Sequence, residues 1–150
     1  MTTTRARAVP RVIGRLALAA LLLSAGFGHL TSLRQEFQAQ VPHWVPLDPD
    51  VVVVASGVVE LALGTTLAVA PRRFRPLAGV VAAAFFIGVF PGNISQYVTH
   101  TDAFGLDSDR ARGIRLVFQP VLVAWALWST GAWRAWRRSR ATESSGTMTP

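Results

Sequence analysis

Hydrophobic residues fall in four long blocks separated by short polar segments. The blocks cover residues 12–30, 51–70, 76–98 and 114–133. Each block reaches the roughly 20 residues that a helix needs to cross about 30 Å of hydrocarbon. A run of valines opens the second block and favours a strand in water, but a lone strand in lipid would leave its backbone unpaired. The pattern therefore predicts an all-α, integral membrane four-helix bundle.

The first block has a second interpretation. Arginines precede the segment LALAALLLSA, as they do in a cleaved signal peptide. The apolar stretch continues beyond Ala25, however, through Phe27 to Leu30. We therefore favour a first membrane span, and the signal peptide stays the alternative.

The composition agrees with a membrane protein. Of the 150 residues, 51% are hydrophobic and 15% are charged, and the mean hydropathy is +0.36. Soluble domains carry about 25% charged residues. The sequence contains no cysteine, which excludes disulfides, thiolate metal sites and dithiol redox chemistry within it.

The arginines predict how the spans are oriented. All fifteen basic residues are arginine, against eight acidic residues, for a net charge of +7. Eleven arginines lie on one side of the predicted spans, and the other side holds only Arg34, Arg110, Arg112 and Arg115. The positive-inside rule then places both termini in the cytoplasm. The arginines scatter along three membrane-flanking segments, so nucleic acid is not a predicted partner.

Two terminal segments flank the predicted membrane domain 12–133. Residues 1–11 form a basic cytoplasmic segment, and residues 134–150 are predicted to be a basic, disordered cytoplasmic tail. The use of arginine without lysine, together with abundant alanine, is typical of GC-rich bacterial genomes. We therefore expect a multi-pass protein of the bacterial cytoplasmic (inner) membrane.

Small residues at four-residue spacing predict helix-packing faces, because membrane helices associate through close backbone approach. There are three such rows: Ala20, Ser24 and Gly28; Ser56, Glu60 and Gly64; and Gly88 and Gly92. The alternative is chance, since the chain is rich in alanine and glycine. Pro91 is expected to kink the third span and Pro120 to loosen the fourth.

Polar residues inside the blocks are the candidate functional groups. Glu60 lies nine residues into the second span, which is about 14 Å at helical rise and close to the midplane. A carboxylate there is costly, so it should face the bundle interior and be protonated or paired. The other candidates in the blocks lie in the predicted outer half of the membrane: His29, Asn93, Gln96, Arg115 and Gln119. Trp44 is predicted near the membrane interface, in an extended turn that Pro42 and Pro46 stiffen in the first outer loop. We expect these residues to converge on one polar pocket.

The polar cluster has a structural and a functional interpretation. In the first, the side chains only join helices through hydrogen bonds. In the second, Glu60 and His29 are the catalytic or proton-exchanging groups, and ligand-binding groups are Trp44, Asn93, Gln96, Arg115 and Gln119. No metal site is predicted, because the three histidines lack the spacing of known ligand motifs. Motifs of nucleotide or serine hydrolysis are likewise missing from the sequence.

The order of several short motifs resembles that of the DoxX-like bacterial membrane proteins. These motifs are GHL, VPHWVP, SGVVELALG, RRFRPLAG, VFPGNISQY and IRLVFQPVL, between about Ala25 and Leu127. The resemblance implies a compact four-helix membrane bundle. It places the family's recurring residues on His29, Pro42, Pro46, Glu60, Phe90, Pro91, Asn93, Arg115, Leu116 and Gln119. Relatives often carry a proline two residues before that glutamine, where this chain has Val117.

Three functions stay open at this point. The resemblance implies an accessory or ligand-binding subunit of a membrane redox system, which would bind a quinone or another lipophilic small molecule and a redox partner protein. The second is a membrane-embedded acid–base enzyme, an isomerase, cyclase or hydrolase, that uses Glu60 and His29. The third is a small transporter, which would have to form a homo-oligomer because four spans leave little room for a pathway.

Overall fold

The described residues form six helices joined by short connections. The structure, a computed structural model, describes residues 9–105 and 107–146. The helices are α1 (Val9–Leu30), α2 (Arg34–Gln38), α3 (Pro49–Val69), α4 (Arg75–Val98), α5 (Asp109–Thr130) and α6 (Ala132–Gly146). Helices α1, α3, α4 and α5 are long and apolar enough to cross a membrane. This confirms the predicted all-α chain with four membrane-spanning candidates, while the orientation of the termini stays a prediction.

The helix ends follow local sequence signals. The Asp48 side chain accepts a hydrogen bond from the Asp50 backbone N–H at 2.8 Å, and Pro49 occupies the first position of α3. Ser108 caps α5 in the same manner. At the other end of α5, Gly131 adopts a left-handed φ of 79°, which ends the helix. The fourth span therefore stops at Thr130, three residues before the predicted boundary.

The segment after the fourth span differs from its prediction. The sequence predicts a disordered tail, whereas the structure has a helix, α6, through Gly146. Alanine and arginine favour helix, and side-chain contacts add to this preference. The rings of Trp133 and Trp136 lie 5.5 Å apart, and the Arg140 guanidinium lies 4.2 Å from the Trp136 ring centre. Residues 147–150 of the predicted tail, and most of the predicted N-terminal segment, lie outside the described residues.

Helices α1 and α3 pack closely through glycine. A Cβ atom on Gly26 would lie 2.8 Å from the carbonyl oxygen of Gly57, and a Cβ atom on Gly57 would lie 2.8 Å from Cβ of His29. Further along the same interface, a Cβ atom on Gly64 would lie 3.0 Å from the carbonyl oxygen of Ala19. The two backbones are thus in near contact over about two helical turns.

Two of the three predicted packing rows are wrong in part. Ala20 and Ser24 are exposed, and the close contact of α1 runs through Gly26 instead. A Cβ atom on Gly88 would meet nothing within 4 Å, so Gly88 does not mediate a helix contact. Spacing identifies small residues that share a face, but the neighbouring helix selects the face. Helix α4 continues through Pro91, and α5 continues through Pro120.

The bundle is filled in one half of its length and hollow in the other. The filled half contains the apolar core, made of Leu18, Ala19, Leu22, Leu63, Leu67, Ala78, Ala82, Ala83, Phe86, Leu122 and Ala126. Arg15 lies at this end, where its side chain donates to the carbonyl oxygens of Leu67 and Ala68. Those carbonyls belong to the last turn of α3, so a buried arginine satisfies a helix end.

The glycine contact generates a prediction about stability. Replacing Gly26 by alanine should lower the free energy of unfolding by about 1–3 kcal/mol, because the new Cβ meets backbone that cannot move aside. Replacing Gly88 by alanine is the matched control, since its Cβ enters open space. Thermal unfolding of both variants in the same detergent checks this. A Gly26→Ala variant as stable as Gly88→Ala would contradict the close packing of α1 on α3.

Candidate functional site

A cavity of about 590 Å³ occupies the hollow half of the bundle. It lies between two closely packed helix pairs, α1 with α3 and α4 with α5. Its apolar walls include Leu21, Val52, Val53, Phe85, Phe118 and Leu122. Its polar groups are His29, Gln40, Ser56, Glu60, Asn93, Arg115 and Gln119. Both the volume and the small number of polar groups are typical of small-molecule sites.

Glu60 and His29 form a buried pair at the α1–α3 interface. Nδ1 of His29 lies 2.9 Å from Oε2 of Glu60 and also 2.9 Å from the carbonyl oxygen of Ala25. The carbonyl oxygen and the carboxylate oxygen both accept, so a hydrogen on Nδ1 would be shared between them. Apart from this approach of His29, the buried Oε2 of Glu60 forms no hydrogen bond with the residues that the structure describes. The Glu60 side chain is 11% exposed, and it lines the cavity.

A chain of amide side chains crosses the opposite wall. Nδ2 of Asn93 donates to Oε1 of Gln119 at 2.9 Å, and Nε2 of Gln119 donates to the Phe86 carbonyl oxygen. Nε of Arg115 donates to Oδ1 of Asn93 at 3.1 Å. Asn93 and Gln119 therefore each accept at the amide oxygen, and each donates at the amide nitrogen. This fixes the side chains in one arrangement.

The chain continues into the loop that follows α2. Nη2 of Arg115 donates to Oε1 of Gln40 at 2.9 Å, and Nε2 of Gln40 donates to Oε1 of Gln96 at 3.2 Å. Nε2 of Gln96 in turn donates to the Thr101 carbonyl oxygen at 3.3 Å. Gln96 lies behind Gln40 and does not line the cavity. Its contact is thus with Gln40, which holds Arg115.

Aromatic rings cover the end of the cavity that lies away from the apolar core. The Phe37 ring stacks on the His29 ring with 3.4 Å between ring centres, and the edge of Phe104 meets Phe37 at 4.5 Å. Phe104 has a φ of 58°, which is disfavoured for a bulky residue. Its backbone N–H donates to Oε2 of Glu36 at 2.6 Å. Helix α2 therefore holds the 99–105 segment over the cavity.

Ion pairs fix the same end of the bundle. Arg34 forms an ion pair with Asp50. The hydrogen bond from the Arg34 guanidinium to the Asp50 carboxylate raises the pKa of Arg34, and the negative charge of the carboxylate adds to this effect. Arg112 pairs with Asp102 at 2.8 Å and with Asp109 at 3.1 Å. These pairs connect α2 to α3, and the 99–108 segment to α5.

The structure brings together most of the residues that the sequence singles out. His29, Glu60, Asn93, Arg115 and Gln119 all line the cavity. Trp44 also lines it, at the rim, where 71% of the residue is exposed. The hydrogen bond from the Val45 backbone N–H to the Pro42 carbonyl oxygen, at 3.0 Å, closes the predicted turn around this tryptophan. Gln96 is the exception, because it supports the wall from behind.

Sequence reasoning missed three wall residues. Gln40, Phe37 and Phe104 lie outside the four hydrophobic blocks, where a polar or aromatic residue is unremarkable. Gln40 sits in the connection after α2, and Phe104 precedes a glycine in a turn. Only the packing of these connections over the helix ends reveals their role. Among the described residues, no group of three or more His, Cys, Asp or Glu side chains is placed to hold a metal ion.

Comparison with known proteins gives a family without a known activity. The family model described as "Domain of unknown function (DUF8561)" matches residues 18–130, so the chain belongs to this family. The match runs from within α1 to the end of α5 and leaves out α6. No curated protein and no solved structure matches the chain. The DoxX-like resemblance is not shown by these comparisons and stays an interpretation of the motifs.

The amide chain generates a second prediction about stability. Replacing Asn93 by leucine removes two hydrogen bonds and leaves a buried acceptor on Gln119 unsatisfied, which should cost about 1–3 kcal/mol of unfolding free energy. Ser95→Ala, in the same turn of α4, should cost less than about 0.5 kcal/mol. Thermal unfolding in detergent measures both. Equal stability of the two variants would show that the chain of amides contributes nothing to the fold.

Proposed function

We propose that this member of the DUF8561 family is an inner-membrane protein that binds a lipophilic small molecule in the cavity beside Glu60. In this proposal it serves as an accessory or ligand-binding subunit of a membrane redox system. The observation that carries the proposal is the carboxyl group of Glu60, which lines a largely apolar cavity and has only His29, at 2.9 Å, as its ion-pair neighbour among the described residues. A carboxyl group on an apolar wall is costly unless it is hydrogen-bonded. A ligand hydroxyl or amine in the cavity would supply a donor.

The surroundings of Glu60 support a lipophilic ligand. The walls beside it are mostly aliphatic and aromatic, and they come from all four long helices. Leu21 and Gly88 line the cavity about half-way along α1 and α4, and both are exposed. This supports entry at membrane depth, where a hydrophobic molecule dissolves. A ligand arriving from the bilayer would not have to cross the aromatic cover formed by Phe37 and Phe104.

A quinone is the candidate ligand that connects the cavity to redox chemistry. Its reduced form carries hydroxyl groups that could donate to Glu60, and its ring and tail are apolar. The sequence has no cysteine, so electrons would come from a partner protein and not from a dithiol in this chain. The redox connection itself comes from the DoxX-like resemblance.

An acid–base enzyme is the second candidate function, and the His29–Glu60 pair favours it. The two side chains lie 2.9 Å apart at the cavity wall, which is within reach of a shared proton. In this alternative Glu60 gives or takes the proton and His29 orients it. The transporter and the homo-oligomer have no supporting contact among the described residues and stay predictions.

We also propose that both termini of the protein lie in the cytoplasm. Supporting this, the end of the bundle that carries the apolar core also carries the arginines of the 71–75 loop and those of α6. The cavity end carries most of the acidic residues, such as Asp50, Asp102 and Asp109. Under the positive-inside rule the cavity then faces the outer half of the membrane.

Single cysteines test the orientation cleanly, since the sequence has none of its own. Asp107→Cys should react with a membrane-impermeant maleimide in intact spheroplasts. Ser139→Cys, on α6, should react only after the membrane is permeabilised. Both positions are exposed, so a reversed pattern would refute the proposed orientation.

Filling the cavity tests the proposed ligand binding. We expect mass spectrometry of mildly extracted wild-type protein to identify a bound lipophilic molecule. Ala25→Phe projects a ring from the cavity wall and should abolish its recovery. The matched control Ala20→Phe, on the exposed face of the same helix, should retain it. Glu60→Gln should lower occupancy about tenfold through the altered hydrogen bond, whereas the exposed Asp107→Asn should not.

The same purified wild-type and variant proteins distinguish the two candidate functions. A molecule that is recovered unchanged after incubation supports a binding subunit. A membrane lipid species that wild-type protein converts, and that Glu60→Gln and His29→Ala leave unchanged, supports the acid–base enzyme. Equal recovery of one bound molecule from wild type and Ala25→Phe would mean that the cavity is not the site.

A further inference from the structure

Arg115 brings a positive charge to the cavity without a carboxylate to balance it. Its two hydrogen bonds go to the neutral amide oxygens of Asn93, at 3.1 Å, and Gln40, at 2.9 Å. Arg34 and Arg112, at the same end of the bundle, each pair with at least one aspartate. Within residues 9–105 and 107–146, no carboxylate lies within ion-pair distance of Arg115. A guanidinium in a low-dielectric site attracts an anion strongly.

The Arg115 side chain is held in place with donors to spare. A guanidinium has five N–H groups, and the two hydrogen bonds occupy one on Nε and one on Nη2. The amides that accept them are fixed in turn by Gln119 and Gln96. The Phe104 ring lies 5.0 Å from the guanidinium carbon and limits movement outward. Arg115 therefore presents its remaining N–H groups to the cavity at little cost in ordering.

The carboxyl group that does line the cavity does not neutralise this charge. Glu60 lies beside His29 on the α1–α3 side, whereas Arg115 lies on α5 among the amides. The rest of the cavity lining includes aliphatic and aromatic walls, such as Val53, Phe85 and Leu122. A molecule that fills this space would meet a cation at one end and a hydrocarbon lining along its length.

We infer that the ligand is an amphipathic acid: a molecule with one hydrocarbon chain whose anionic head group, a carboxylate or a phosphate, binds the Arg115 guanidinium. The inference rests on the proposed function, because it narrows the chemistry of that same cavity. Arginine binds carboxylate and phosphate through paired, charge-assisted hydrogen bonds. A neutral quinone would leave the Arg115 charge unbalanced, so an acid fits the cavity better.

Calorimetric titration of the full-length protein in nanodiscs tests the head group. The probes are a medium-chain fatty acid, the primary alcohol of the same chain length and the corresponding alkyl phosphate, at a pH where both acids are ionised. The fatty acid or the phosphate should bind about 10- to 100-fold more tightly than the alcohol, as expected for hydrogen bonds to a charged group. Whichever acid binds more tightly identifies the head group.

Arginine variants complete the test. Arg115→Gln should reduce the affinity for the acid to that for the alcohol and leave the alcohol unchanged. Arg110→Gln, at an exposed position on the same helix, should bind all three probes as the wild type does. Arg115→Lys keeps the charge and should keep a preference for acid over alcohol. This variant replaces Arg115→Gln in the test if the glutamine variant does not fold, and loss of its preference for acid would then contradict a role for the charge.

Two results would overturn the inference, and each differs from failure of the proposed function. If the alcohol binds to the wild type as tightly as either acid does, the head group is not anionic, although the cavity still binds a lipophilic molecule. If Arg115→Gln folds and keeps its preference for acid, Arg115 is not the binding group. Binding of none of the probes, together with no bound molecule in wild-type extracts, would refute the proposed function as well.

Discussion

A carboxyl group half-way along a membrane helix has to find polar surroundings inside the protein, because hydrocarbon offers none. In this chain that group is Glu60, and the packing of α1 on α3 supplies its neighbour. The near contact of Gly26 with Gly57 brings His29 alongside Glu60, at 2.9 Å. Larger side chains at these glycines would separate the helices and the pair. The small residues of the α1–α3 interface are thus what allows His29 and Glu60 to lie side by side.

The division of the bundle into a filled and a hollow half follows from the same constraint. From Glu60 toward the C-terminal end of α3, alanine and leucine side chains pack in an ordinary apolar core. Toward the other end of the bundle, the cavity lies between the helix pairs α1–α3 and α4–α5, and polar side chains replace the apolar ones at the interface. Amide groups can satisfy one another only along a continuous chain, and Gln119, Asn93, Arg115 and Gln40 form such a chain. Hydrogen bonds therefore join the polar side chains of this wall to one another beside the open space.

The sequence predicts the spans and the set of buried polar residues well, because both depend on the cost of placing groups in lipid. A charge or amide inside a long apolar block must face inward, whichever helix it meets, and this is why Glu60, His29 and Asn93 could be selected together. Other features depend on tertiary contacts that no local pattern encodes. Spacing favours Ser24 as a packing residue, yet the partner backbone selects Gly26 instead. Gln40 carries no signal in its own segment, and becomes part of the site only because Arg115 reaches it.

The cavity is difficult to explain as a packing defect. Unfilled apolar space destabilises a protein by about 24 cal/mol per Å³. That cost applies to a sealed, dry void, whereas this cavity of about 590 Å³ is lined half-way along α1 and α4 by the exposed Leu21 and Gly88, where a lipophilic molecule can enter and fill it. Hydrogen bonds tie the amides of one wall together, while the carboxyl group of Glu60 and the guanidinium of Arg115 line the open space. A carboxyl group and a guanidinium on the walls of an apolar cavity are groups that an occupant can complete, and this is what distinguishes a binding site from a gap between helices.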